Sequence, residues 1–316
     1  LPGVDPVNGQ PLTLPLRVLA PAKINLGLFV GPTRADGRHE LASVMQSISL
    51  ADELVLQAAP AVAERDEVVC DAVAGENLAA SALELFRAAT GWDAPPLRLQ
   101  IDKRIPIAAG LGGGSADAAA ALRLAAAASG RGDLDLLFVL AAELGADVPA
   151  QVTPGRWLAT GAGEQLQPLP DPVSSLGVLV LAQGTGLSTA EVYASADRIG
   201  IARDARNIEE HRETLMKAFE LGSPLPAEAR LLHNDLQSAA VSLCPAIEKT
   251  LLEAHEAGAE TAFVSGSGPT VVALFGRANG LSRAERAAAG LVGREPDALA
   301  AVSVDGDFAR VQPLGT

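Results

Sequence analysis

The chain has 316 residues, 48% of them hydrophobic and 20% charged, with 24 basic against 38 acidic side chains and a net charge of −14. That length suits about two lobes rather than one core, and the acidity opposes nucleic acid and anionic membrane surfaces, so neither is an expected partner. Apolar runs such as Leu176 to Ala182 fall short of the ~20 residues a membrane-spanning helix needs, and Cys70 and Cys244 show no CxxC spacing, so a soluble cytoplasmic protein with reduced thiols is expected.

The opening Leu1 to Pro11 has neither the basic start nor the apolar stretch of a secretory leader, and residues 1–15 read as a flexible tail. Arg17 to Val30 is rich in strand formers but interrupted at Pro21-Ala22-Lys23, which predicts two short strands around a bend. A turn at Arg34 to Arg38 leads into His39 to Leu50 and a strand at Glu53 to Gln57. Leu78, Ala82, Leu85 and Phe86 predict an amphipathic helix from Asn77 to Thr90, stopped at Gly91. A strand at Leu97 to Ile101 precedes two further helices, an alanine-rich one over Ala118 to Ala128 and another from Asp133 to Leu144, stopped at Gly145. The prolines between Leu166 and Ser175 mark the expected boundary between units 16–168 and 169–316. Beyond it come a strand at Val178 to Ala182, helices between Thr189 and Gly258, and a strand–loop–strand unit from Ala262 to Phe275. Strands and helices in such irregular order predict an α+β fold of two lobes with a cleft between them, not a regular βαβ array.

The most distinctive stretch is Lys103-Arg104-Ile105-Pro106-Ile107-Ala108-Ala109-Gly110-Leu111-Gly112-Gly113-Gly114-Ser115-Ala116-Asp117, running directly into the alanine-rich helix. Few side chains stand between its backbone amides and a ligand, and the free donors and dipole of a helix N-terminus both favour phosphate. Its spelling is neither Walker A, which needs lysine where Ala116 stands, nor the dinucleotide fingerprint, which needs glycine where Ser115 stands. A second cluster, Ser265-Gly266-Ser267-Gly268-Pro269-Thr270, reads equally well as a hairpin-like turn or as a place where chain and hydroxyls approach a ligand. The four histidines, His39, His211, His233 and His255, show no zinc-ligand spacing.

Three segments in this order and spacing, Pro21-Ala22-Lys23-Ile24-Asn25-Leu26, Pro106 to Ala116 and Ser265 to Thr270, resemble the GHMP kinase superfamily. Ala35-Asp36-Gly37-Arg38-His39, Leu144-Gly145-Ala146-Asp147-Val148-Pro149, Leu187-Ser188-Thr189 and His233-Asn234-Asp235-Leu236 extend the resemblance over roughly Arg17 to Phe275. It implies two GHMP kinase lobes, ATP and Mg2+ as cofactors, and transfer of phosphate to the 2-hydroxyl of a diphosphocytidyl methylerythritol. Asp147 would then be the general base, with Lys23 beside it favouring the ionised carboxylate and steadying charge during transfer. Pro106 to Ala116 would wrap the phosphates, Ser115 would meet the β-phosphate or the metal, and Asn77 would lie near the adenine unless it simply caps its helix. His39 would bond the cytosine edge, Asn25 the methylerythritol end, with Thr189 nearby and Gly266, Ser267 and Gly268 in the same site. Tyr193, the sole tyrosine, would stack on cytosine.

The residue before His39 is often tyrosine in the family; here it is Arg38, whose guanidinium plane can also stack on a base. The net charge of −14 would be offset locally by Lys23, Arg38, Lys103, Arg104, the metal and the loop amides, although Lys103 and Arg104 read equally as solvated strand-end charges. A homoserine- or mevalonate-type kinase and a catalytically dead sensor of the same fold are the competing readings. The ADGRH and GADVP segments oppose the first, and retention of both Lys23 and Asp147 opposes the second. The protein is expected to be a monomer or a homodimer.

Overall fold

The computed structural model describes residues 10–73, 75 and 77–315. The chain opens with two very long antiparallel strands, β1 (Leu16–Thr33) and β2 (His39–Ala58), followed by β3 (Glu67–Val69), α1 (Leu78–Thr90) and β4 (Leu97–Asp102). Next come α2 (Gly113–Ser129), α3 (Leu134–Leu144), the short α4 (Val148–Val152), and the β5 (Arg156–Thr160) and β6 (Gln165–Leu169) hairpin. The second half contains β7 (Gly177–Leu181), α5 (Thr189–Ile199), α6 (Ala205–Phe219), α7 (Gln237–Leu243), α8 (Ala246–Glu256), β8 (Thr261–Val264), β9 (Val271–Phe275), α9 (Gly280–Gly290), β10 (Leu299–Val302) and β11 (Gln312–Pro313). No helix among the described residues is long and apolar enough to cross a membrane.

The strands form a seven-stranded sheet ordered β11-β1-β2-β4-β3, with the β5–β6 hairpin on β2, and a four-stranded sheet ordered β10-β7-β9-β8. The fold is thus α+β, as the mixed element order implied. The two short strands expected over Arg17 to Val30 are instead one strand of 18 residues. Register shifts between Pro21/Ala22 and Asn25/Gly27 let the strand continue past a proline, which cannot donate to the ladder. The prolines after Leu166 do not all mark a linker, because Gln165–Leu169 is β6. The 168/169 boundary is crossed again at the end of the chain, where β11 returns to pair with β1.

The expected flexible tail is only partly testable, since residues 1–9 lie outside those described. From Gln10 on the chain is held: the Leu12 amide donates to the Ala127 carbonyl at 2.9 Å, and Leu14 packs on the first core. That core is built around α2, where every residue from Ala116 to Ala127 is buried. An alanine helix with no polar face fits this position, since small side chains let α1, α4 and β1 approach it from all sides. A second core joins the two sheets, packing Ile24, Val44 and Ile48 against Val178, Val180, Val272 and Leu274. Arg156, fully buried, ties β2 and β5 to the loop after α6 by donating to the Gln46 amide oxygen at 2.8 Å and the Ser223 carbonyl at 2.6 Å.

Candidate active site

A cavity of about 1030 Å³ lies between the lobes. Lys23, Asn25, Arg38, His39, Asn77, Asp147, Thr189, Tyr193, Gly266 and Ser267 line it, as does every residue from Pro106 to Ser115. Segments far apart in the chain, singled out on sequence alone, thus share one wall system. Two expected members do not. Ala116 is buried in the α2 core, and Gly268 packs under the second loop, where a Cβ would come within 2.7 Å of Val264.

At the centre Lys23 and Asn25 project from the same face of β1, two residues apart. The Lys23 ammonium donates to Asn25 Oδ1 at 2.9 Å and lies 3.4 Å from Asp147 Oδ2. Asn25 in turn donates to Ser43 Oγ at 2.8 Å, and that hydroxyl donates to the Gly27 carbonyl, so the amide is held from behind. Asp147 stands at the N-cap of α4, yet its carboxylate caps nothing and remains 37% exposed toward the cavity. An acid at a helix start that ignores the helix and faces a buried lysine is available for chemistry.

The glycines of the first loop serve different ends. Gly110 and Gly112 have φ of +75° and +69°, and a Cβ at Gly110 would sit 2.4 Å from the Ser265 carbonyl. Close packing of two backbones therefore accounts for Gly110, and the Lys23 stem, 3.0 Å from a Cβ at Gly112, accounts for the next. Gly114 differs: nothing lies within 4 Å of its missing Cβ, and it faces the cavity from the first turn of α2. No side chain caps that helix, so its first amides remain free donors. Space plus uncapped donors is what an anion needs, and no protein contact explains this glycine. Asn77 caps α1, accepting from the Ala79 amide at 2.9 Å, and also lines the cavity.

At the other end Tyr193 stacks directly on His39, centroids 5.2 Å apart. Burial, with the Asp147 charge adding to it, pushes the Tyr193 phenol up to about 12. His39 Nε2 lies 2.8 Å from Asp197 Oδ1 and 3.2 Å from Thr33 Oγ1. Arg38 is clipped back onto Asp36 at 3.0 Å and lies 3.8 Å from Glu164, while Thr189 Oγ1 and Ser267 Oγ share a hydrogen bond of 2.9 Å.

Sequence reasoning missed several groups. Asn234 donates to the Val264 and Gly266 carbonyls, each at 2.7 Å, and so shapes the second loop. Asp52 and Asp117 flank Lys103, which is neither solvated nor free, since its buried ammonium donates to both carboxylates. Burial pushes Asp117 up to about 7, with Lys103 opposing and Asp52 adding to the rise. Arg104 turns away to Asp102 and Glu53 and does not line the cavity, so it focuses no charge there. The lining holds three fixed cations, Lys23, Arg38 and Lys103, against Asp117, Asp147 and Asp197. The expected cationic focusing is thus largely cancelled, and the loop amides carry more of the task. Cys70 and Cys244 are free and half-buried.

Two lobes, a glycine loop opening a helix and a lysine–aspartate pair beside it define a small-molecule kinase of the GHMP class. Family models agree, with the GHMP kinases N terminal domain matching residues 77–155 and the GHMP kinases C terminal domain matching residues 215–294. The chain is 43% identical over 289 residues to the 4-diphosphocytidyl-2-C-methyl-D-erythritol kinase of Salinispora tropica, covering 88% of each chain. A crystal structure of 4-(cytidine 5'-diphospho)-2C-methyl-D-erythritol kinase superposes with a TM-score of 0.73 at 34% identity, covering 91% of this chain and 98% of that one. A homoserine kinase from Cytophaga hutchinsonii reaches a TM-score of 0.71 at 16% identity, covering 96% of this chain and 99% of that one, a likeness of fold alone. The chain belongs to the 4-diphosphocytidyl-2-C-methyl-D-erythritol kinase family of GHMP kinases.

Proposed function

We propose that this cleft transfers the γ-phosphoryl group of ATP to the 2-hydroxyl of 4-diphosphocytidyl-2-C-methyl-D-erythritol, giving the 2-phosphate and ADP, a step in non-mevalonate isoprenoid precursor synthesis. The observation that carries the reading is the Asp147–Lys23 pair, 3.4 Å apart, beside a glycine loop whose Gly114 is left open. Asp147 accepts the proton as the hydroxyl oxygen attacks phosphorus and the bond to the ADP oxygen breaks. Lys23, fixed by Asn25, offsets the negative charge shared by the carboxylate and the entering oxygen. The amides of Gly113, Gly114 and Ser115 hold phosphate oxygens at the helix N-terminus.

Mg2+ fits this arrangement as an ion carried mainly by the nucleotide. Among the described residues no cluster of three His, Cys, Asp or Glu could hold a metal, but Mg2+ keeps several waters and needs only one or two protein oxygens beside the phosphates. The Ser115 hydroxyl, in the first turn of α2 and lining the cavity, is the group that would hold it. Bound there it would neutralise phosphate charge, which the balanced lining does not do by itself.

The cytidine end belongs to His39, Tyr193 and Arg38, and the alcohol lies by Asn25, Thr189, Gly266 and Ser267. The reading includes a nucleotide-binding unit over 16–168, a C-terminal unit over 169–316 and a cytoplasmic setting, with which the two free thiols are compatible. ADP release by the purified protein with MgATP tests it, comparing the cytidyl alcohol with homoserine, mevalonate and no acceptor. Turnover selective for the cytidyl alcohol and abolished by Asp147→Ala is expected. Turnover with another alcohol would overturn the substrate assignment, and full activity in Asp147→Ala would overturn the base.

A further inference from the structure

The ten residues Lys103 to Gly112 connect β4 to α2 and carry a run of backbone that glycine leaves loose. Such a loop must be ordered before it can present amides to a ligand, or binding energy is lost in ordering it. Its second half is fastened by two contacts, the Lys23 amide donating to the Leu111 carbonyl at 2.9 Å and the Ser265 hydroxyl donating to the Gly110 carbonyl at 3.3 Å. Its ends are fastened differently. Asp52, on β2 and wholly buried, accepts from the amides of Arg104 at 2.6 Å and Ile105 at 2.8 Å through one oxygen, and from the Lys103 ammonium through the other. The same ammonium donates to Asp117 Oδ2 at 2.8 Å, in the second turn of α2.

We propose that Asp52, Lys103 and Asp117 form a buried cross-link that sets the spacing between the entry and the exit of the glycine loop, acting as positioning residues for nucleotide binding. Two buried carboxylates and one ammonium are a poor source of stability, since apolar side chains of similar volume commonly serve as well or better. Their value lies in geometry, because the lysine can satisfy both acids only when the start of the loop and the start of the helix stand at one separation. The ammonium also lies 3.3 Å from where a Cβ of Gly113 would be, directly against the first turn of α2. Lys103 and Asp117 line the cavity, whereas Asp52 does not, so Asp52 acts on a nucleotide only through Lys103 and the loop amides it holds. The inference rests on the reading that this loop receives the phosphates of ATP.

Asp52→Asn keeps an acceptor for the two amides and removes the one facing Lys103. Lys103→Met removes the bridge itself. Each is expected to raise the KM for ATP about tenfold, some 1.4 kcal/mol, with the KM for the alcohol within about twofold of wild type, and the double variant is expected to lose no more than either single one. Amide hydrogen exchange without nucleotide should quicken in residues 103–112 of both variants and stay unchanged elsewhere. ATP binding that survives Asp52→Asn but is lost in Lys103→Met would overturn the cross-link, since Lys103 would then act on the nucleotide directly. Unchanged exchange in the loop would overturn it equally. A loosened loop with unaltered ATP binding would instead sink the placement of the phosphates. Should Asp52→Asn not fold, Asp117→Asn leaves the Asp52 contacts in place and must show the same loosening of the loop for the cross-link to stand.

Discussion

Gly114→Ala tests the phosphate loop by asking for effects of opposite sign. A methyl group there meets no protein atom within 4 Å, and the residue lies in the first turn of α2 with a φ that is not left-handed. Alanine in place of a helical glycine should stabilise the free protein by up to about 1 kcal/mol, which for a chain of this size raises Tm by no more than about 4 °C. The same methyl occupies the space assigned to phosphate, and overpacking of that kind costs about 1–3 kcal/mol, so the KM for ATP should rise at least about fivefold. Thermal unfolding without ligand and ATP titration at saturating alcohol measure the two effects separately. A lower Tm would mean the space is not open, and unchanged ATP affinity would mean the phosphates lie elsewhere. Gly110→Ala is the control: with φ +75° and the Ser265 carbonyl 2.4 Å from the new Cβ, it should lower Tm outright.

Three further outcomes are expected. Arg38→Ala should raise the KM for the cytidyl alcohol several-fold, about 1 kcal/mol for an exposed cation on an aromatic face, and an unchanged KM would dismiss stacking of the guanidinium on the base. Tyr193→Phe should leave that KM near wild type while Tyr193→Ala raises it about tenfold or more, because the ring and not its hydroxyl faces His39; equal losses in both would show that the hydroxyl matters. Asp235 is the acid-sensitive joint: burial opposes its ionisation, but the Arg203 fork at 2.7 Å, His233 and the Val30 amide outweigh that and hold its carboxyl down to about 2. A folded value below the ordinary one means this contribution, about 2 kcal/mol, is complete above pH ~4 and is lost as pH falls toward 2. Asp235→Asn should therefore destabilise the protein at pH 7 and make little difference near pH 2; an equal penalty at both would refute the linkage.

What could be read from the sequence depended on whether a residue's task has a local signature. The helix that Asn77 caps, the stop at Gly91 and the loop from Pro106 to Ser115 each announce themselves within a few positions. Lys23 and Asp147 were legible as a pair only through the order and spacing of several motifs, since neither stands out alone. The long first strand was missed because a proline inside it is tolerated only by a register shift that its partner strand determines. His39 with Asp197 and Lys103 with Asp52 are separated by 158 and 51 residues, and nothing in the spacing of an acid and a base that far apart reveals a contact. Arg104 went the other way: next to a buried lysine in the chain, it alternates to the outer face of the strand end and pairs with Asp102.

The charge balance of the cleft leads to a last expectation. A protein of net charge −14 repels an anionic nucleotide at long range, while the lining, three fixed cations against three carboxylates, offers little local attraction. Affinity must then come from short-range donors fixed in place, chiefly the uncapped amides of α2, and these are hardly screened by salt. Raising NaCl at constant free Mg2+ should therefore speed ATP association, by screening the long-range repulsion, and leave the dissociation rate nearly unchanged. A site built on exposed lysines and arginines would show the reverse, with association slowing as salt rises. Stopped-flow mixing with a fluorescent ATP analogue reads both rates directly, and a fall in the association rate with salt would mean that side-chain cations, not backbone amides, draw the nucleotide in.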